Sequence, residues 1–261
     1  MPKFRRFEIP IDNYKVNALA VYPPQFDEKS SKTYPVLFHP YGGPNSQMAT
    51  YSYQIDLNSV LVSDPKHPMI VIIVDGRGTA LKGRKFRVGV AKQLGKLEAE
   101  DQIKAAKYIQ KLPYVDKDKI AIWGWSYGGY LTSKVVEANS GVFKVAMAVA
   151  PVTDWRFYDT LYTERYMKTL EDNPEGYKES AVSNVEGFKN VEFLLVHGTE
   201  DDNVHFQNSA VLVSKLTYQG IKSYTVQFYT DNEHSMGFGN AYSQLMDLLT
   251  NFLHEHLFEE K

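Results

Sequence analysis

An α/β fold, a doubly wound and mostly parallel sheet with helices on both faces, is predicted by three features of the sequence. Short apolar runs recur along the chain, helical patterns separate them, and turns rich in glycine or acidic residues follow several of the runs. The runs at 16–22, 35–39, 69–75, 119–123, 142–149, 191–197 and 223–229 read as strands. Most are continuously apolar, the pattern of strands covered on both faces, and such burial implies parallel pairing with helical crossovers.

Helices are expected at 97–111, 126–139, 205–219 and 241–258. In the last, Leu245, Leu249 and Phe252 repeat at helical spacing. Residues 23–33 carry Pro, Asp, Lys and Ser without periodicity and read as a surface connector. No internal repeat or low-complexity tract is visible, and residues 1–261 read as one domain, a size that one core can fill.

Composition narrows the function. Hydrophobic residues make up 43% and charged residues 23%, which describes an ordinary globular chain. A net charge of −2, with both signs well mixed, supplies no basic stripe for nucleic acid and no polybasic membrane patch. No apolar run approaches the roughly 20 residues of a spanning helix, and no signal peptide is visible in the residues shown, which leaves localisation open. With no cysteine, disulfides, thiol nucleophiles and thiolate metal sites are excluded.

Gly124-Trp125-Ser126-Tyr127-Gly128 lies between a strand pattern and a helix pattern, the context of a nucleophile elbow and hence of an α/β-hydrolase fold. The sharp turn lifts the Ser126 hydroxyl above the sheet and aims the Tyr127 amide at a developing oxyanion. A hydroxyl nucleophile needs an imidazole held by a carboxylate, in the chain order Ser, Asp, His. The strand at 223–229 runs into a loop with His234, and that at 191–197 into Glu200, Asp201 and Asp202. Spacing does not separate the two aspartates, one of which suits a cap for the following helix.

Among the other histidines, His39 and His197 end strands and suit structural hydrogen bonds. His67 adjoins a proline turn and His205 opens a helix. His254 and His256, two apart on the last helix, face away from each other and make no metal pair. No metal and no cofactor is expected. The loop His39-Pro40-Tyr41-Gly42-Gly43-Pro44 occupies the position of a second oxyanion donor. Trp155, Tyr158 and Tyr162 follow a helical spacing that also suits plain core packing.

Gly124 to Tyr130, Tyr158 to Tyr166 and His197 to Gln207 together resemble the dipeptidyl peptidase IV branch of the prolyl oligopeptidase family. The resemblance extends from Tyr34-Pro35-Val36-Leu37-Phe38 and Asp75-Gly76-Arg77-Gly78 through Glu98-Ala99-Glu100-Asp101 to the last helix. It implies a serine peptidase cleaving after proline, with Ser126 as nucleophile, His234 as general base and Asp201 as its orienter. It further implies that Tyr41 and Tyr127 form the oxyanion hole, that Tyr127, Val152, Trp155, Tyr158, Tyr162 and Val204 line a proline pocket, and that Asn203 holds a substrate carbonyl.

The propeller that precedes the hydrolase domain in that family has no counterpart in these residues. That lack, with the absence of cysteine and of any Asn-x-Ser/Thr site, points to an excised or redesigned domain. Peptides or small esters are the expected substrates, and an uncovered propeller-facing surface would be compatible with a homo-oligomer. Two alternatives stand beside this expectation: a carboxylesterase or acylaminoacyl peptidase with the same three residues, and a domain that folds but turns over weakly or not at all.

Overall fold

The computed structural model describes residues 1–52 and 55–259. Eight strands, β1 (Lys3–Ile11), β2 (Tyr14–Tyr22), β3 (Tyr34–Phe38), β4 (Ile70–Asp75), β5 (Val115–Trp125), β6 (Val145–Val149), β7 (Glu192–Gly198) and β8 (Tyr224–Tyr229), form one sheet. Their order is β1-β2-β4-β3-β5-β6-β7-β8. The β1–β2 and β2–β4 pairs are antiparallel and every later pair is parallel. This is the mixed, mostly parallel sheet of an α/β-hydrolase.

Among the described residues, eight α-helices accompany it: α1 (Leu57–Ser63), α2 (Arg84–Val88), α3 (Lys96–Ile109), α4 (Tyr127–Glu137), α5 (Thr160–Met167), α6 (Pro174–Ser180), α7 (Gln207–Tyr218) and α8 (Ala241–Leu257). Side-chain alternation along each central strand divides the core in two. In β5, Ile120 and Ile122 pack with residues of α3, α4 and α7, whereas Ala121 and Trp123 pack with α1 and α8. Phe193 and Leu195 of β7 take the first face and Leu194 and Val196 the second. Period-2 geometry applied to an all-apolar strand gives it this two-sided burial.

Every expected strand and long helix is present, with ends shifted by at most four residues. The 126–139 helix begins at Tyr127, because Ser126 takes a non-helical conformation as its cap. The unforeseen strand is β1, an edge strand that leaves Lys3, Phe4, Arg5 and Glu8 exposed and turns into β2 through Asp12 at φ +49°. The parallel strands share one direction, so the loops at their C-terminal ends gather at one rim of the sheet, where such folds place their sites.

Candidate active site

Ser126 stands at φ +60° and ψ −117°, a strained combination for a side chain-bearing residue. Close packing holds it there. A Cβ on Gly124 would collide with the Gly128 backbone, and one on Gly128 would collide with the Pro40 carbonyl. The Ser126 amide donates to the Val149 carbonyl at 2.9 Å, tying the turn to β6. The Tyr127 amide follows at the first position of α4, where no intrahelical acceptor precedes it.

The strand-end loop after β7 carries Asp201, which is 4% exposed, and places both of its oxygens in use. Oδ1 accepts from the amides of Asn203 at 3.0 Å and Val204 at 2.8 Å, while Oδ2 accepts from Nδ1 of His234 at 2.7 Å. Asp202 is exposed and stands outside this network. Of the two aspartates that spacing left open, Asp201 is the one that meets His234. Asp201 also ties down its own loop, and α7 starts at Gln207 behind Phe206, which gives no side-chain cap.

Nε2 of His197, a fully buried side chain, approaches Asp201 Oδ2 at 3.2 Å and the Val204 carbonyl at 2.7 Å. Its Nδ1 lies 2.6 Å from Ser209 Oγ. Burial pushes the Asp201 carboxyl up. The hydrogen bonds from His197 and His234, the His234 charge and the Val204 amide outweigh burial and hold it well below the usual carboxylate range.

His234 keeps its side chain one-fifth exposed, and its carbonyl accepts from the Trp125 indole at 3.0 Å. That bond fastens the His234 loop to the residue preceding Ser126. Among the described residues the Ser126 hydroxyl and the His234 ring form no hydrogen bond; the backbone contact through Trp125 is what joins the two loops. In free enzymes such side-chain bonds are commonly long and close only around substrate.

The Tyr41 loop is pinned from below. Asp75 accepts the amides of Met48 and Ala49, and Asn45 donates to the Gly78 carbonyl at 2.8 Å. Tyr41 remains 37% exposed, with its ring centroid 5.9 Å from that of Tyr127. The Tyr127 ring is buried, and its hydroxyl donates to Glu98 at 2.8 Å. Burial pushes the Glu98 carboxyl up to about 7, with Asp101 adding to the rise, against the opposing hydrogen bond from Tyr127.

Around this centre stand the remaining expected residues. Trp155 contacts Tyr127, Tyr158 and Tyr162 at centroid distances of 5.5, 5.7 and 5.8 Å. Val152 and Val204 lie buried in the same cluster. Trp155 sits in a short 3-10 turn, Tyr158 on extended backbone and Tyr162 in α5, so no single core helix carries them. Tyr158 donates to Asn203 Oδ1 at 2.8 Å, which leaves the Asn203 amino group to donate elsewhere.

Four supporting residues lie outside the expected set. His197, Glu98, Trp125 and Tyr166 brace Asp201, Tyr127, His234 and Tyr162 respectively. All four sit inside the segments that carry the family resemblance, but their partners come only from the fold. His39 has a structural place, stacked on Trp123 at 4.2 Å and bonded to Asn58, and burial lowers it to about 4.

A strained serine between strand and helix, set in this strand order, defines an α/β-hydrolase with a serine elbow. The sequence profile described as the prolyl oligopeptidase family matches residues 56–260, and the chain belongs to that family. It is 49% identical over 269 residues to a probable dipeptidyl peptidase 4 of Emericella nidulans, covering 100% of this chain and 34% of that protein. With a probable dipeptidyl-aminopeptidase B of Talaromyces marneffei it shares 50% identity over 247 residues, 94% of this chain and 27% of the relative. The crystal structure of Porphyromonas gingivalis dipeptidyl peptidase 4 superposes with a TM-score of 0.91 at 40% identity, over 98% of this chain and 36% of that one. The chain thus spans about a third of the length of the relatives it matches. No helix among the described residues is long and apolar enough to cross a membrane.

Proposed function

We propose that this chain carries the peptidase centre of a serine-type dipeptidyl peptidase that cleaves after proline. The bond between Asp201 and His234, beside the strained Ser126, carries the reading. Asp201 accepts a hydrogen bond from Nδ1–H of His234 without taking the proton, and so leaves Nε2 as the base. Ser126 Oγ attacks the carbonyl carbon of the scissile bond and passes its proton to His234 Nε2. The Tyr127 amide and the Tyr41 hydroxyl receive the negative charge that develops on the carbonyl oxygen. His234 then gives the proton to the leaving amine, the bond breaks and an acyl-enzyme on Ser126 remains. Water repeats the sequence and frees the acid.

Selectivity follows from the walls. Tyr127, Trp155, Tyr158 and Tyr162 form an aromatic enclosure, backed by Val152 and Val204, that suits the compact apolar ring of proline and offers no counter-charge to a Lys or Arg side chain. The free amino group of Asn203 is available to a substrate carbonyl. Both sets of relatives named as dipeptidyl peptidases favour this reading over an esterase or acylaminoacyl peptidase.

Labelling with a fluorophosphonate followed by peptide mapping should find the adduct on Ser126. Ser126→Ala should lower turnover of Gly-Pro-nitroanilide by about 10⁴- to 10⁶-fold while the circular dichroism spectrum stays unchanged. Unaltered turnover in that variant would reject the mechanism.

A further inference from the structure

At the opposite rim of the sheet, Asp64, His67 and His254 converge, each offering one ligand atom within 4.8 Å of the other two. Asp64 follows α1 and His67 precedes β4, so both lie at the N-terminal end of that strand, away from the rim that holds Ser126. His254 belongs to the last turn of α8, which packs on the same face of the sheet as α1. We propose that these three side chains form a binding site for one zinc ion, with a fourth position open to water.

The spacing suits that ion. Zinc–ligand bonds of about 2.0–2.1 Å in a tetrahedron place ligand atoms roughly 3.3–3.4 Å apart. Asp64 Oδ2 lies 3.4 Å from His254 Nε2 and 3.7 Å from His67 Nδ1. The donor set, two imidazoles and one carboxylate, is one that borderline cations prefer over calcium or magnesium.

An independent observation comes from His254. Its Nε2 is shielded from solvent and, beyond its 3.4 Å approach to Asp64 Oδ2, makes no hydrogen bond among the described residues, an arrangement that a bound cation would complete. Asp64 is already oriented, because its Oδ1 accepts the amides of Lys66 at 2.7 Å and His67 at 3.0 Å, leaving Oδ2 to face the imidazoles. Phe258 meets both rings edge-on, 4.9 Å from His67 and 5.9 Å from His254, and supplies an apolar wall. Side-chain exposures of 36%, 22% and 21% for His67, Asp64 and His254 leave a route inward. A zinc ion here would clip the α1–β4 connection to the C-terminal helix and act on stability, since it stands far in the topology from the proposed chemistry.

The test is a zinc titration of chelator-treated protein by calorimetry, repeated with Asp64→Asn, His254→Gln and, as a control on the same helix, His256→Gln. One equivalent should bind to the unaltered protein and raise its melting temperature. Asp64→Asn and His254→Gln should each weaken binding by about 10- to 100-fold or more, and His256→Gln should bind normally. Cobalt in place of zinc should give the visible absorption of a four-coordinate site in the unaltered protein, a readout that needs no variant to fold. Absence of stoichiometric uptake, or uptake that ignores the Asp64 and His254 substitutions, would overturn the assignment.

Discussion

Two buried carboxylates flank Ser126, and the same burial leaves them in opposite states. Asp201, under His234, accepts from His197, His234 and two backbone amides and is held well below the usual carboxylate range. Glu98, under Tyr127, accepts one side-chain hydrogen bond, has an Oε2 without a partner among the described residues, and is pushed up to about 7. Desolvation opposes ionisation at both; at Asp201 the two imidazoles and the Val204 amide outweigh it, whereas at Glu98 the hydrogen bonds from its own amide, Tyr127 and Gly95 do not. In the mechanism proposed above, the side that stabilises an imidazolium has a fixed anion, and the side assigned to the oxyanion has a carboxyl that sheds its charge as pH falls below 7.

Asp201→Asn is the strongest way to break that contrast. Turnover should fall by about 10⁴-fold, the scale seen when a triad aspartate loses its charge, as read by nitroanilide hydrolysis. Its stability should also lose an acid-dependent component. Because Asp201 in the folded chain sits below its ordinary value of 3.8, the unfolded chain binds more protons as pH falls past that value, and stability drops there. Urea unfolding should show that acid-side slope in the parent protein and a flatter one in the variant.

His197→Asn should act less on turnover and more on stability. It orphans the buried Ser209 hydroxyl and Val204 carbonyl, at a cost on the order of 3 kcal/mol in denaturant unfolding, while Asp201 retains His234 and both amides. A turnover loss as large as that of Asp201→Asn, without a loss of stability, would mean that His197 takes part in proton transfer.

Glu98→Gln should have the smallest effect on turnover and sharpens the comparison through pH. A folded value near 7 against 4.5 unfolded means that the folded chain binds the extra proton between those limits, so stability falls as pH rises across the window. The full difference is about 3 kcal/mol, from 1.36 kcal/mol per unit. Glutamine keeps an acceptor for Tyr127 and should abolish that slope; a slope that persists would assign it to another group.

Central strands and the elbow were legible in the sequence because burial on both faces writes itself as uninterrupted apolar residues, and because Gly124 and Gly128 are demanded by steric contact. The edge strand β1 was not. One face meets solvent, and Arg5, Arg6 and Pro10 mask its alternation. Helices α1, α2, α5 and α6, of five to eight residues, are too short to show a period. The choice of Asp201 over Asp202 came from family resemblance, since spacing alone left both open; only coordinates show Oδ1 and Oδ2 serving different partners. His254 likewise found its neighbour in His67, far away along the chain, and not in His256.

The missing side chain of Gly128 sets the separation between two segments that must cooperate. Even one methyl there would strike the Pro40 carbonyl and come within 3.3 Å of the Tyr41 Cα, so the helix start and the tyrosine loop rest directly against each other. Whatever displaces one displaces the other. The Tyr127 end of α4 is thereby set directly against the Tyr41 backbone, and the two segments meet like the halves of one jaw.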